Sequence, residues 1–186
     1  MSRPIDDLKH EHELIKRMLA ALEAASDKLA RGEPVPPDVL DEARDFVHGF
    51  ADECHHGKEE DALVPFLAEK SEFFRTIGVR FLLADHEVGR SLMMDLAQAT
   101  DDMRAGKPGA ADDARRALDL YALLLHRHII KEETLTFPAA EQFITPADDA
   151  ALAERFDAVE ARMGPDAHER YEAIVRHVES AVGVAA

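Results

Sequence analysis

Cysteine is almost absent from this chain: Cys54 stands alone among 186 residues. One thiol closes no intrachain disulfide, which points to a reducing cytoplasm. Basic residues are scarce too, 22 against 38 acidic ones. The resulting net charge of −16 speaks against nucleic acid and anionic membrane surfaces as partners, since both need a cationic patch. No uncharged run approaches the ~18 residues that crossing a bilayer takes. The opening MSRPIDDLKHEHELIK lacks the apolar stretch of a signal peptide. No segment alternates apolar with polar residues cleanly, so no strand is expected. What remains is rich in alanine and leucine at helical spacing. The expectation is an all-α chain, long enough for one domain with a real core.

The spacing of Ile5, Leu8, Ile15, Leu19 and Leu22 predicts a first helix from about Ile5 to Ala30, ended by RGEPVPP (31–37). A second helix opens at Asp38 or a neighbouring proline and runs to about Val64, where Pro65 breaks or kinks it. After FLAEK and a cap at Ser71, a third covers about Thr76 to Arg104. GKPG (106–109) is a loop, and a fourth helix runs from about Ala111 to Phe137, stopped by Pro138. TPADD (145–149) starts another helix, with Thr145 as N-cap and Pro146 in the first position. It ends at Gly164-Pro165, and a last helix spans Asp166 to about Ala181. The expected architecture is an up-down-up-down four-helix bundle over 1–145, with 146–186 as an accessory helical hairpin packed on it.

An internal repeat carries the chemistry. His12-Glu13-Leu14 in the first helix matches His86-Glu87-Val88 in the third, 74 residues on. HGKEEDALVP (56–65) matches HIIKEETLTFP (128–138), with His56 to His128 and Glu60 to Glu132 both 72 apart. His12 fills a gap in the stripe Leu8, Ile15, Leu19, Leu22, and His86 fills the same gap among Val79, Leu82, Gly89, Met93 and Leu96. Leu63 and Leu67 continue the line of His56 and Glu60; Tyr121, Leu124, Leu125 and Leu135 surround His128 and Glu132. Residues four apart share a helix face. Four helices thus each aim an imidazole at the bundle axis, and two add a carboxylate.

Burying ionised carboxylates without partners costs on the order of several kcal/mol each, and the inward positions offer no lysine or arginine for each glutamate. A pair of cations would neutralise them, and mixed nitrogen and oxygen ligation suits iron better than a thiolate-type zinc site. The metal candidates are His12, His56, Glu60, His86, His128 and Glu132. Tyr121, Arg90, Glu59 and Glu133 are candidates for contacts around them; Glu133 is also an alternative to Glu132 as a ligand, and Tyr121 reads as a core aromatic or as a hydrogen-bond donor or ligand at the metal. Gly89 leaves room for a small molecule. His10 and His55 fall about 100° or more from the ligand face, and His126 points away from His128. His168-Glu172 reads as a surface pair, His48-Asp52 as a contact above His56, and Cys54 as an inert thiol.

With HHGKEED, ADHEVGR and HIIKEE-x-L-x-FP on the page, the chain resembles the bacterial hemerythrin-like, HHE cation-binding family over about residues 5–145. The resemblance implies a four-helix bundle around a non-haem di-iron centre, two iron ions bridged by oxo or hydroxo, on the six ligands named above. Two departures from oxygen-carrying hemerythrins stand out. Arg90 occupies the place of a second third-helix histidine, and the last His and carboxylate are spaced by four rather than five. Fewer imidazoles leave more open positions, which favours redox chemistry over protected oxygen carriage. The implied function is handling of oxygen, peroxide or nitric oxide in sensing, detoxification or iron and oxygen homeostasis. A catalase-like or ferroxidase enzyme is the alternative. A ferritin-like oxidase needs paired Glu-x-x-His motifs, and only Glu53 to His56 supplies one. A metal-free interaction module leaves the buried carboxylates unexplained.

Overall fold

The computed structural model describes residues 2–184. Among the described residues every regular element is helical, in six runs. Helix α1 is Arg3–Ala30. Helix α2 (37–70) is continuous: Pro37–Phe46 is α-helical, Val47–His56 and Glu59–Leu63 are π-helical, and Val64–Lys70 is α-helical again. Helix α3 joins a π-turn, Phe74–Gly78, to Val79–Arg104. Helix α4 (110–141) runs through Ala110–Lys131, a π-turn at Glu132–Thr136, and Phe137–Glu141. Helices α5, Pro146–Met163, and α6, Ala167–Val182, complete the chain.

Pro65 and Pro138, expected to end the second and fourth helices, do not. Each follows a π-turn and sits in the first turn of the α-helical segment that restarts behind it. A residue there needs no backbone N–H for an intrahelical bond, so proline's missing donor costs little. Thr145 caps α5 as expected: its hydroxyl accepts from the Asp148 backbone at 3.3 Å, and the Asp148 carboxylate accepts from the Thr145 N–H at 3.0 Å.

The apolar side chains form two clusters. The larger takes Ile15, Leu19 and Leu22 from α1, Phe46 and Phe50 from α2, Leu96 from α3, Leu118 and Leu125 from α4, and Tyr171 and Val175 from α6. The smaller takes Ile5, Leu8, Leu63, Leu67, Phe137, Leu152 and Phe156. Along α1 the switch from one to the other falls between Leu8 and Ile15; along α4 it falls between Ile129 and Phe137. Glu11 and His12 occupy the first gap and Glu132 the second, with His128 one residue before Ile129, so a buried polar layer lies between two oily ones. Leu82 and Leu96 of the third-helix stripe are buried; the Val79 side chain lies outside the described residues. Leu135, expected beside the site, is exposed.

Helix α6 docks on α1 and α2. Arg17 holds Glu179 through two bonds, 2.9 and 2.6 Å. Gly49 is where α2 meets Tyr171: a Cβ there would lie 1.7 Å from the phenol oxygen. Only a residue without a side chain admits that approach.

Candidate metal centre

Helices α1 to α4 bring seven ligand-type side chains into two buried groups. His56, Glu59, His86 and His128 form one; His12, His55 and Glu132 form the other. Within each group one ligand atom per residue lies within 4.8 Å of all the rest. Ligand atoms around one cation stand about 2.0–2.2 Å from it, so that span fits a shared ion. The two groups are joined by their carboxylates. Glu59 places one oxygen 3.3 Å from His86 Nε2 and the other 4.0 Å from His55 Nε2. Glu132 places one 2.9 Å from His128 Nε2 and the other 3.2 Å from His12 Nε2. Each glutamate therefore spans both groups.

None of those four oxygens has a hydrogen-bond partner, although both glutamates are 0 % exposed. His56 Nε2 is buried and unpartnered as well. The imidazoles approach the carboxylates without lining up as donors to them. Instead His12 and His55 turn their Nε2 atoms to 3.0 Å from one another, and His86 and His128 to 3.2 Å.

The outer ring nitrogens explain that orientation. Every one of the five histidines directs Nδ1 at a carboxylate: His12 at Glu133 (3.0 Å), His55 at Glu11 (2.9 Å), His56 at Asp52 (3.3 Å), His86 at Glu60 (2.7 Å) and His128 at Asp85 (3.3 Å). An ionised carboxylate only accepts, so each Nδ1 carries a proton, and each Nε2 faces inward, where a neutral ring offers a lone pair. Behind each carboxylate stands a cation: Lys16 on Glu133 at 2.9 Å, Lys58 on Glu11, Lys131 on Asp85, and Arg90 on both Asp52 and Glu60 at 2.7 and 2.8 Å. Counting Glu59 and Glu132, seven carboxylates stand in the two groups or on their histidines, against four cations that also meet Glu13, Glu160 and Glu87 nearer the surface. The layer is short of positive charge, and Glu59 and Glu132 have no lysine or arginine on them.

The electrostatics register the same shortfall. Burial works against charge on His128, yet Glu132 and Asp85 carry it up to about 10. His12 and His86 are also raised, against burial, by glutamates beside them. Burial favours a protonated Glu132, but His128 and His12 hold it well below the ordinary carboxylate range. His56 differs: burial drives it down to about 3, leaving a neutral imidazole.

A family profile described as the hemerythrin HHE cation binding domain matches residues 3–140. The chain belongs to that family. Two mycobacterial proteins resemble this HHE chain: uncharacterized protein Mb2018 of Mycobacterium bovis and uncharacterized protein Rv1995 of Mycobacterium tuberculosis. Each is 24% identical over 180 residues, 96% of this chain and 70% of the relative. No solved structure matches it significantly. No described helix is long and apolar enough to cross a membrane.

Within this HHE domain the expected residues fall as follows. His12, His56, His86, His128 and Glu132 stand in the two groups. Glu60 does not: it lies at the rim, on His86 Nδ1 and Arg90, and Glu59 takes the inward place. Glu133 orients His12, and Tyr121 lines a cavity beside the site. His55, expected off the ligand face, stands in the second group. A π-turn holds more residues than an α-turn, so consecutive side chains diverge less. Adjacent His55 and His56, at the end of Val47–His56, can then both face inward, one to each group. Glu53 is exposed and faces exposed His48. His168 faces Glu160 at 3.5 Å rather than Glu172, which pairs with Arg176. His10 is exposed, and His126 turns outward to Glu23. Burial raises the Cys54 thiol to about 12, which suits an inert role.

The placement corrects the register of the repeat. His55/His128, Lys58/Lys131, Glu59/Glu132, Glu60/Glu133 and Pro65/Pro138 are all 73 apart, and Glu11/Asp85, His12/His86 and Lys16/Arg90 are all 74 apart. Each member of a pair makes its partner's contact: Glu11 orients His55 as Asp85 orients His128, and Glu60 orients His86 as Glu133 orients His12.

Proposed function

We propose that this chain binds two iron ions in an up-down-up-down four-helix bundle and uses them to handle oxygen, peroxide or nitric oxide. His56, His86 and His128 would hold one ion, His12 and His55 the other, and Glu59 and Glu132 would span both. The observation that carries this reading is the set of four buried carboxylate oxygens without a donor. Two cations supply the charge that the chain withholds. Iron at such a site supplies electron transfer and Lewis acidity toward a small oxygen or nitrogen ligand.

The chain's own residues prepare the site for this. The carboxylates on Nδ1 fix the tautomer of all five imidazoles, and the cations behind them fix the carboxylates. A cavity of about 580 Å³ opens on His56, His86 and His128, but on none of His12, His55 and Glu132. A small ligand would therefore approach from the three-imidazole side, past Gly89, Met93 and Tyr121. Burial raises the Tyr121 phenol, so it stays a hydrogen-bond donor at neutral pH. A lone buried thiol and the negative net charge support a cytoplasmic protein without nucleic-acid or membrane partners.

Iron content per chain after anaerobic loading tests the reading, followed by visible spectra on adding oxygen, peroxide or nitric oxide. Two ions per chain and a spectral response support it; fewer than one ion defeats it. A reversible oxygen adduct favours carriage or sensing. Catalytic oxygen release from peroxide, or oxidation of added ferrous iron, favours the catalase-like or ferroxidase alternative.

A further inference from the structure

Lys58 and Lys131 are equivalent in the repeat, yet their surroundings differ. Lys131 serves Asp85 from the surface, with its side chain 45 % exposed. Lys58 is 0 % exposed, and its ammonium lies between Glu11 on α1 and Glu160 on α5, 2.5 Å from the latter. Glu160 in turn faces His168 of α6 at 3.5 Å. Glu11, Glu160 and His168 are close enough together to hold a metal ion, but Lys58 already supplies the cation. A continuous chain of contacts therefore runs from the hairpin into the centre: His168, Glu160, Lys58, Glu11, His55. The hairpin lies outside the residues matched by the family profile, while the mycobacterial relatives align over 96% of the chain.

We propose that Glu160 is a positioning residue for the metal centre, holding the His55 imidazole through buried Lys58 and Glu11. Lys58 is closed to solvent, and its donors are divided between the two carboxylates. Without Glu160 the whole ammonium charge falls on Glu11 and draws it away from His55 Nδ1. On the other half nothing from the hairpin reaches Lys131 among the described contacts, so His128 is held by its own helices alone. The hairpin thereby tightens one of the two ion positions.

The consequence for ion binding rests on the metal reading above; the consequence for the histidine does not. The test compares Glu160→Gln, Glu160→Asp and Arg162→Ala in the full chain. Arg162 ties α5 to Asp61 of α2 at 2.9 Å and does not touch Lys58, so its loss loosens the hairpin while sparing the contact chain. Two quantities are read: the His55 Nδ1 proton by NMR in the metal-free protein, and cobalt(II) affinity by absorbance titration. Glu160→Gln is expected to broaden or shift that proton and to weaken one of the two cobalt(II) sites about tenfold, the lower end for an outer partner of a metal ligand. Glu160→Asp restores most of both, and Arg162→Ala leaves both unchanged. An unaltered His55 proton in Glu160→Gln overturns the proposal, as does an equal effect from Arg162→Ala. Failure of the wild-type chain to bind two ions removes the metal reading, and the proton measurement still decides the contact chain.

Discussion

The helix pair α1 and α2 and the pair α3 and α4 share one plan and differ in two places. The shared plan is a carboxylate-histidine pair on one helix, then His-x-x-Lys-Glu-Glu and a proline on the next. The first difference is His56, whose equivalent 73 residues on is buried Ile129; its partner Asp52 is answered by Leu125. The second is Lys58, sealed by Glu160, where Lys131 meets solvent. Both additions fall on α2. One gives the cavity side a third imidazole, and the other ties His55 to the hairpin. A symmetric frame thus builds two unequal groups: one beside the cavity, the other in contact with the last two helices through Lys58.

Breaking the frame itself should have the largest effect. Glu59→Gln removes one of the two carboxylates that span both positions. The expected result is a drop from two ions per chain to one or fewer, read by metal analysis. Glu60→Gln, one residue on, should weaken binding by only about tenfold, as for loss of an outer contact. Equal effects from the two would undo the 73-residue register.

Erasing the first difference should matter next. His56→Ile makes the first half resemble the second. Binding should weaken on the order of 10- to 100-fold at one position and hold at the other, with a changed visible spectrum of the loaded protein. Weakening at both positions would show that His56 does not belong to one of them alone.

pH separates protons from metal as the source of the missing positive charge. His128 is raised to about 10, and His12 and His86 are raised in the same sense. Stability from such groups is fully present below the unfolded histidine value, roughly 6.5, and is lost as pH climbs through the folded value. The metal-free chain should therefore melt progressively lower between pH 6.5 and about 10, while the loaded chain holds its melting temperature. Parallel curves for the two forms would mean that metal does not replace those protons. The smallest effect is local: Gly49→Ala should cost about 1–3 kcal/mol by overpacking against Tyr171, seen in urea melts. Ion binding should survive it.

Much of this was legible in the chain. The stripe Ile5 to Leu22 placed α1, and the Thr145-Pro146 start placed α5, because periodicity and capping are local. The need for cations also followed from residue type for Glu132; Glu60, the other glutamate of that reading, meets Arg90 at the rim, and Glu59 stands unpartnered in its place. The register of the repeat was harder. Matching HGKEEDALVP to HIIKEETLTFP needs a gap, whereas HHGKEEDALVP (55–65) lies on it without one; Pro65/Pro138 and Lys58/Lys131 were the available signal. Ideal α-helical geometry then turned His55 away from the axis, because π-turns have no sequence mark comparable to a cap. Asp52, four residues from His56, was within reach of helix spacing and does meet it. Glu11 and Asp85 escaped notice because their partners lie 44 and 43 residues away, near only after folding.

The burial of Lys58 gives the molecule an internal clock. An ammonium with no surface and two carboxylates on it offers no free amine, so an acylating reagent reaches it only when α5 lifts from α2. The other side of the repeat carries the reference, since Lys131 is partly exposed throughout. The ratio of labelling at the two lysines, followed over time by mass spectrometry, would report how often the hairpin opens.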